Sequence, residues 1–512
     1  MNKTVVQVIK NTVSGWGMVS AQAAIALVMV PFLIGKLGVE GYGVIAIITA
    51  IVGFSMIADL GLRAALNREL SEKVACHDVE GFRSLTATAL VLYVVIALLI
   101  GAVGGWLAPW FCTVFNVGPD YRALTILLIR TYAPFTLLAS FVAPVLTAGI
   151  CSFMRYDVQN NVSTLSQFAV SLLLLATLTF VEANPLVVWC GVTAIGWVLR
   201  IGLLWVFYRR ICYGGLISLR RVEVRSLRPL MSLGGSMYVL QLTQMLAQQM
   251  DPLIVSRFIG PAGVALYQAG SRLPQMIRPM VTGLTEQLTP LTTKYHVVDN
   301  RSREQQVLIL GTRYTLYLGA LLSVGMLLLA KPFCHLWLFD KLGADVHSVA
   351  MVLQLWAVVI LFNCAGGPQW PIVLGKKKMR FSVVLSVTTA IFNVMLSIYL
   401  VGYTNWGVAG VLIGTVITEI VRRPIAAWYV ANLVGVGVFE YARKAYVVPF
   451  LFAGVFLLLG RWVVPPEEGV TWGRLLACGL GIGFIGGCLW IVFEWRMARS
   501  VFRHWKSDRA RR

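Results

Sequence analysis

Three arginines, Arg130, Arg272 and Arg278, lie well inside long apolar runs of a chain whose remaining charge is read as sitting at the ends of such runs. An ionised side chain at the middle of a bilayer costs about 3 kcal/mol on insertion scales, so it is rare without a purpose. Arginine stays protonated and cannot escape by neutralising. One reading is a cationic, wet cavity that receives an anion inside the membrane. The other is a set of buried Arg–acid pairs that only fix helix packing.

Polar residues around these arginines recur at helical spacing. Gln268, Arg272, Gln275, Thr282 and Glu286 share one helix face, with Ser271 and Arg278 at its edge. Gln241, Gln244, Gln248 and Asp251 form a second stripe on the preceding span. Stripes of this kind in hydrocarbon need water, a partner helix or a ligand. Together with Arg130 they read as facing walls of one cavity; a polar seam with Asp251 neutralising Arg272 or Arg257 is the alternative. The candidate substrate-binding residues are therefore Arg272, Arg278, Arg130, Gln268, Gln275, Gln244 and Gln248.

Four acids are candidates for ion coupling: Asp251, Glu286, Glu419 and Asp59. Glu419 stands one turn from Arg422 and Arg423, which favours a local salt bridge. Asp59 can cap its own helix or pair with Arg63. Pro274 and Pro279 interrupt the hydrogen-bond ladder of one span, and Pro134 and Pro144 that of another, as hinges or as static bends.

The elements that must carry these groups are apolar helices. The 512 residues are 58% hydrophobic and 13% charged, with mean hydropathy +0.78. Soluble domains carry about 25% charged residues. Runs long enough to span a bilayer recur at 12–35, 41–61, 84–109, 122–149, 158–181, 186–208, 229–256, 262–290, 307–330, 346–373, 381–402, 406–430, 445–464 and 472–493. This is an all-α polytopic membrane protein of about 14 transmembrane helices, with no room for a soluble catalytic domain.

The net charge of +21 is topological rather than a nucleic-acid signature. With alternate connections assigned to alternate sides, 31 Lys and Arg fall on the side of the N-terminus and 7 on the other. The positive-inside rule then puts both termini in the cytoplasm of a bacterial inner-membrane protein, its basic ends attracted to anionic lipids. The first apolar run is too long for a cleaved signal. The nine cysteines show no CxxC pairing and read as small packing residues, so no metal or other cofactor is expected. No histidine pair or phosphate-cradling glycine loop points to an enzyme.

Two parts of the chain resemble each other at an offset of 222 residues. Leu107-Ala108-Pro109-Trp110-Phe111-Cys112 recurs as Leu329-Ala330-Lys331-Pro332-Phe333-Cys334, and Gly38 and Gly41 match Gly260 and Gly263. Twelve spans then divide into two parallel lobes, with a substrate route between them. The expected organisation is an N-terminal lobe over 1–210, an inter-lobe segment over 211–228, a C-terminal lobe over 229–432, two further spans over 433–493 and a basic tail over 494–512. The connection 63–83 reads as an amphipathic surface extension of the second span.

The segment from Val30 to Gly43, Asp59-Leu60-Gly61-Leu62, and Asp251 to Tyr267 with Phe258-Ile259-Gly260 resemble the signatures of bacterial polysaccharide flippases. These belong to the multidrug/oligosaccharidyl-lipid/polysaccharide exporter superfamily. The resemblance implies a V-shaped pair of six-helix lobes that moves a polyprenyl-pyrophosphate-linked oligosaccharide across the membrane by alternating access. It also implies that the last two spans form a groove for the lipid tail. A pyrophosphate suits bidentate arginine contacts.

Two branches fit less well. The lipid II flippases carry arginines and an acid in their first span, whereas 12–35 is uncharged here; the multidrug cation antiporters use buried acids, whereas this lumen is read as basic. The expectation is a flippase for O-antigen, capsule or another exopolysaccharide, working beside membrane lipids and a polysaccharide polymerase with its chain-length machinery. An ion-coupled small-molecule exporter and a membrane glycosyltransferase or polymerase are the alternatives.

Overall fold

The computed structural model describes the chain apart from residues 1–2, 55–61, 214–221, 224–234, 287–291, 293–299, 377, 467–468 and 511–512, and apart from some side chains within helices. Its elements are helices, and no strand occurs among the described residues. In order they are α1 (Lys3–Phe54), α2 (Leu62–Ala75), α3 (Val79–Val114), α4 (Pro119–Ser152), α5 (Tyr156–Phe180), α6 (Pro185–Ile211), α7 (Gly235–Ile259) and α8 (Pro261–Glu286). There follow α9 (Arg301–Leu342), α10 (Val346–Ala365), α11 (Gln369–Gly375), α12 (Arg380–Tyr403) and α13 (Ala409–Val434). Last come α14 (Val438–Tyr441), a π turn over Ala442–Val447, α15 (Val448–Gly460) and α16 (Trp472–Ala510).

Among the described residues, nine helical stretches are long and apolar enough to cross a membrane. Two of them, Val13–Gly53 and Arg301–Ala365, each carry most of one expected span and part of the next. The helices α7, α8 and α13 fall outside the nine. Each carries charged or polar groups that the sequence singles out: Asp251 on α7, Arg272 on α8, and Glu419, Arg422 and Arg423 on α13.

Helix ends follow local chemistry. Asp78 caps α3 by accepting from the Gly81 amide at 2.8 Å, and Asn184 caps α6 by accepting from the Leu186 amide at 3.0 Å. Pro119 and Pro185 open α4 and α6, where a missing N–H costs nothing. The expected span 346–373 is cut after Ala365 because Gly367 takes a φ of 37° and Pro368 follows it. A break also stands inside α1, at Gly38, whose φ of 73° no bulky residue holds without strain. Gly260, its partner at the 222-residue offset, likewise has a positive φ, 96°, between α7 and α8. Both glycines of the matched pair thus take a positive φ.

The described residues group into two compact units, 1–268 and 269–512. In the first, Leu62, Ala65, Leu66 and Leu70 of α2 are buried with Phe82, Phe141 and Tyr208 in one core cluster. The apolar face of α2 thus packs into protein, and its charged residues face away. In the second, Tyr317, Leu328, Phe452, Phe456 and Ile482 join α9, α15 and α16.

One contact within the first unit tolerates only glycine. A Cβ on Gly43 of α1 would stand 1.8 Å from the carbonyl oxygen of Pro261. Gly43→Val is expected to destabilise the purified protein by at least the ~1–3 kcal/mol typical of overpacking, because backbone cannot rotate away. Gly17→Ala, with nothing within 4 Å of the added carbon, should be neutral or slightly stabilising. Thermal unfolding in detergent reads both; equal melting of Gly43→Val and wild type would contradict the close approach.

Candidate functional site

The polar stripe of α8 is the centre of the site. Gly270, Ser271 and Pro274 are buried, and a Cβ on Gly270 would meet Val352 of α10 at 2.6 Å. That side of the helix is packed. Gln268 and Arg272 are half-buried and Gln275 is exposed, so the stripe lies on the less enclosed side. Arg272 stands eleven residues into α8, about 16 Å from its start at the α-helical rise. Among the described residues it makes neither an ion pair nor a hydrogen bond.

Asp251 is buried, at 4% exposure, and accepts a 2.9 Å hydrogen bond from the Tyr267 hydroxyl. No ion pair to it is formed by a described residue, Arg257 included. The 16-residue separation of Asp251 and Tyr267 crosses the bend at Gly260, so no helical periodicity announces the pair.

Arg130 is exposed on α4, and its Nε donates to the Gly105 carbonyl of α3 at 3.2 Å. An added Cβ on Gly105 would stand 3.8 Å from the Arg130 side chain, an ordinary packing contact. Glu419 is held locally: Arg422 Nη2 and Arg423 Nε each donate to one of its oxygens at 2.7 Å. Arg423 Nη2 also donates to the Asn363 side chain of α10 at 2.7 Å. The side chains of Gln241, Gln244, Gln248, Arg278, Thr282 and Glu286, and Asp59 entirely, lie outside the described residues.

Two further arginines sit inside apolar helices and escaped the reading of the sequence. Arg313 of α9 donates through Nε to Glu494 of α16 at 2.6 Å, with Glu494 only 4% exposed. Arg200 of α6 donates through Nη2 to the Ser163 hydroxyl of α5 at 3.2 Å. Both meet the depth criterion that singled out Arg272; counting arginines inside every run finds them. A polar core of the second unit was also missed. There Gln369 donates to the Tyr446 hydroxyl at 2.9 Å, Tyr446 donates to the Ala365 carbonyl at 3.0 Å, and the Tyr441 and Thr312 hydroxyls meet at 2.8 Å, beside the π turn. π turns recur at functional sites, but here the hydroxyls and the amide satisfy one another.

Among solved structures, the fold is similar to the lipid II flippase MurJ in an inward closed conformation. The TM-score is 0.69 at 12% identity, covering 96% of this chain and 100% of that one. An inward-facing multidrug resistance MATE transporter of the MOP superfamily gives 0.66 at 16% identity, covering 85% and 98%. A MOP superfamily transporter from Pyrococcus furiosus, described as having a binding pocket of reverse polarity, gives 0.58 at 16%, covering 84% and 95%. These likenesses establish a shared fold. In sequence the chain is 22% identical over 468 residues to the uncharacterized membrane protein EpsK of Bacillus subtilis, covering 89% of each. The family described as polysaccharide biosynthesis protein matches residues 8–296, more than half of the chain. This multi-pass membrane protein therefore belongs to the polysaccharide biosynthesis protein family.

Proposed function

We propose that the protein is a flippase that carries a polyprenyl-pyrophosphate-linked oligosaccharide from the cytoplasmic to the periplasmic leaflet by alternating access, supplying O-antigen, capsule or another exopolysaccharide. The observation that carries the reading is Arg272, a half-buried guanidinium about 16 Å along α8 that no described acid neutralises. Such a charge calls for an anion from outside the chain, and a pyrophosphate accepts the bidentate contacts a guanidinium offers. Gln268 and Gln275 share its helix face and present amides that donate and accept, as sugar hydroxyls require. Membership of a polysaccharide biosynthesis family supports the same substrate class.

Asp251, buried without an ion-pair partner among the described residues, is assigned the coupling role, whereas Glu419 is engaged by two arginines. A cation exporter of the same fold would rest on its acids and not on Arg272. Disrupting the gene and restoring it on a plasmid separates the two. The flippase reading expects surface glycan to disappear and return with unchanged tolerance to cationic drugs; lost tolerance with intact glycan would overturn it.

A further inference from the structure

The ends of α3 and α7 cap each other. Asn116, with a φ of 49°, closes α3: the Val117 amide donates to the Cys112 carbonyl at 3.1 Å and the Asn116 amide to the Thr113 carbonyl at 3.4 Å. A helix closed in this way still leaves carbonyls at its end without an intrahelical donor. One of them, Phe115, accepts from the Ser256 hydroxyl of α7 at 2.7 Å. In return the Asn116 side chain donates to the carbonyl of Arg257, in the last turn of α7, also at 2.7 Å. Ser256 has no exposed surface and Phe115 keeps 7%. Breaking their bond without parting the helices would strand a buried carbonyl.

Two glycines of α1 bring the same neighbours close. The Cβ that Gly43 lacks would stand 1.8 Å from the Pro261 carbonyl oxygen at the start of α8, and one on Gly53 would stand 2.8 Å from the Gln249 side chain of α7. The contacts of Gly43, Phe115 and Asn116 share one side of the membrane. Gly43 follows the first expected span, Phe115 and Asn116 follow the third, and Ser256 to Pro261 stand at the end of the seventh, so all lie opposite the N-terminus. In the sequence repeat, α1 and α3 come from the first six spans and α7 and α8 from the second six, with the substrate route expected between them.

We propose that this reciprocal cap is a latch that shuts the outward end of the transport route and must open before cargo leaves for the far leaflet. The inference rests on the transport reading above and adds to it the residues that hold the exit closed. A closed latch satisfies both carbonyls within the protein, and an open one hands them to water. Partial separation satisfies neither, so the contact switches between two states. Both bonds end on main-chain carbonyls, which leaves Ser256 and Asn116 as the side chains that set its strength.

Asp120→Cys, at the exposed start of α4, and Arg257→Cys, which keeps the accepting carbonyl, carry spin labels, with the exposed Cys76 and Cys488 exchanged for serine. Pulsed dipolar spectroscopy on the full-length protein in liposomes reads the separation of the labels without any cargo. Two separations are expected. Ser256→Ala shifts their ratio towards the longer one about tenfold, and Asn116→Gly, which keeps the left-handed backbone and loses the donor, does so severalfold. Thr177→Ala, which removes a bond within α5, leaves the ratio unchanged. Should Ser256→Ala fail to accumulate, the exposed Asn116→Gly carries the comparison. In liposomes with a labelled lipid-linked glycan, a disulfide between Asn116→Cys and Arg257→Cys should stop transfer, and its reduction should restore it. One unchanged separation in every variant, or wild-type transfer with the bridge in place, overturns the latch. Separations that shift as expected while wild type moves no glycan leave the latch standing and overturn the cargo.

Discussion

Arg272→Ala is expected to lower export of the lipid-linked glycan about 10- to 100-fold while leaving the amount of protein in the membrane unchanged. The magnitude follows from losing one hydrogen bond between charged groups, about 1.5–3 kcal/mol, at tenfold per 1.4 kcal/mol. The protein itself should tolerate the change. Arg272 has no ion pair among the described residues, so its removal strands no described acid. Arg272→Lys keeps the charge and loses the planar fork, so it should retain part of the activity. The exposed Arg130, bound to the Gly105 carbonyl, should show a smaller loss on the same substitution. Surface glycan measured against membrane protein level reads all three; wild-type export from Arg272→Ala would remove this residue from the substrate path.

Glu494→Ala should cost stability rather than chemistry. Glu494 is 4% exposed and its pair with Arg313 is the polar anchor of α16 on α9. Breaking a buried pair from one side leaves an uncompensated charge, typically a loss of about 3–5 kcal/mol. The apolar contacts of Phe452, Phe456 and Ile482 remain, so α16 should stay helical and loosen rather than unfold. Arg313→Met combined with Glu494→Leu removes both charges and should recover most of the loss, since apolar replacement of a buried pair is often neutral. Melting temperature in detergent is the readout. A single variant as stable as wild type would mean that the pair contributes nothing.

The fold was legible because hydrocarbon leaves the backbone few choices. Runs of about twenty apolar residues become helices, and the two glycines that match at an offset of 222 residues, Gly38 and Gly260, both take a positive φ. Continuity was less legible. The span 12–35 and residues 41–54 of the next are carried by one helix kinked at Gly38, and 346–373 is two helices, because a glycine dihedral decides each case.

The site was legible where partners lie on one helix. Glu419 with Arg422 and Arg423 follows from spacing of three and four residues. It was illegible where partners come from distant segments. Asp251 with Tyr267, Arg200 with Ser163, and Arg313 with Glu494 are joined by tertiary packing, which no periodicity encodes. Glu494 also lies one residue past the expected end of the last span, where an acid looks like surface charge.

The central claim is that this chain moves a pyrophosphate-linked oligosaccharide and that Arg272 engages the pyrophosphate. The direct measurement reconstitutes the purified protein in liposomes with a fluorescent polyprenyl-pyrophosphate oligosaccharide and follows its access to a membrane-impermeant quencher. The account predicts rapid equilibration of the label between leaflets with wild type, and equilibration about 10- to 100-fold slower with Arg272→Ala. Wild type no faster than protein-free liposomes, or Arg272→Ala as fast as wild type, would contradict it.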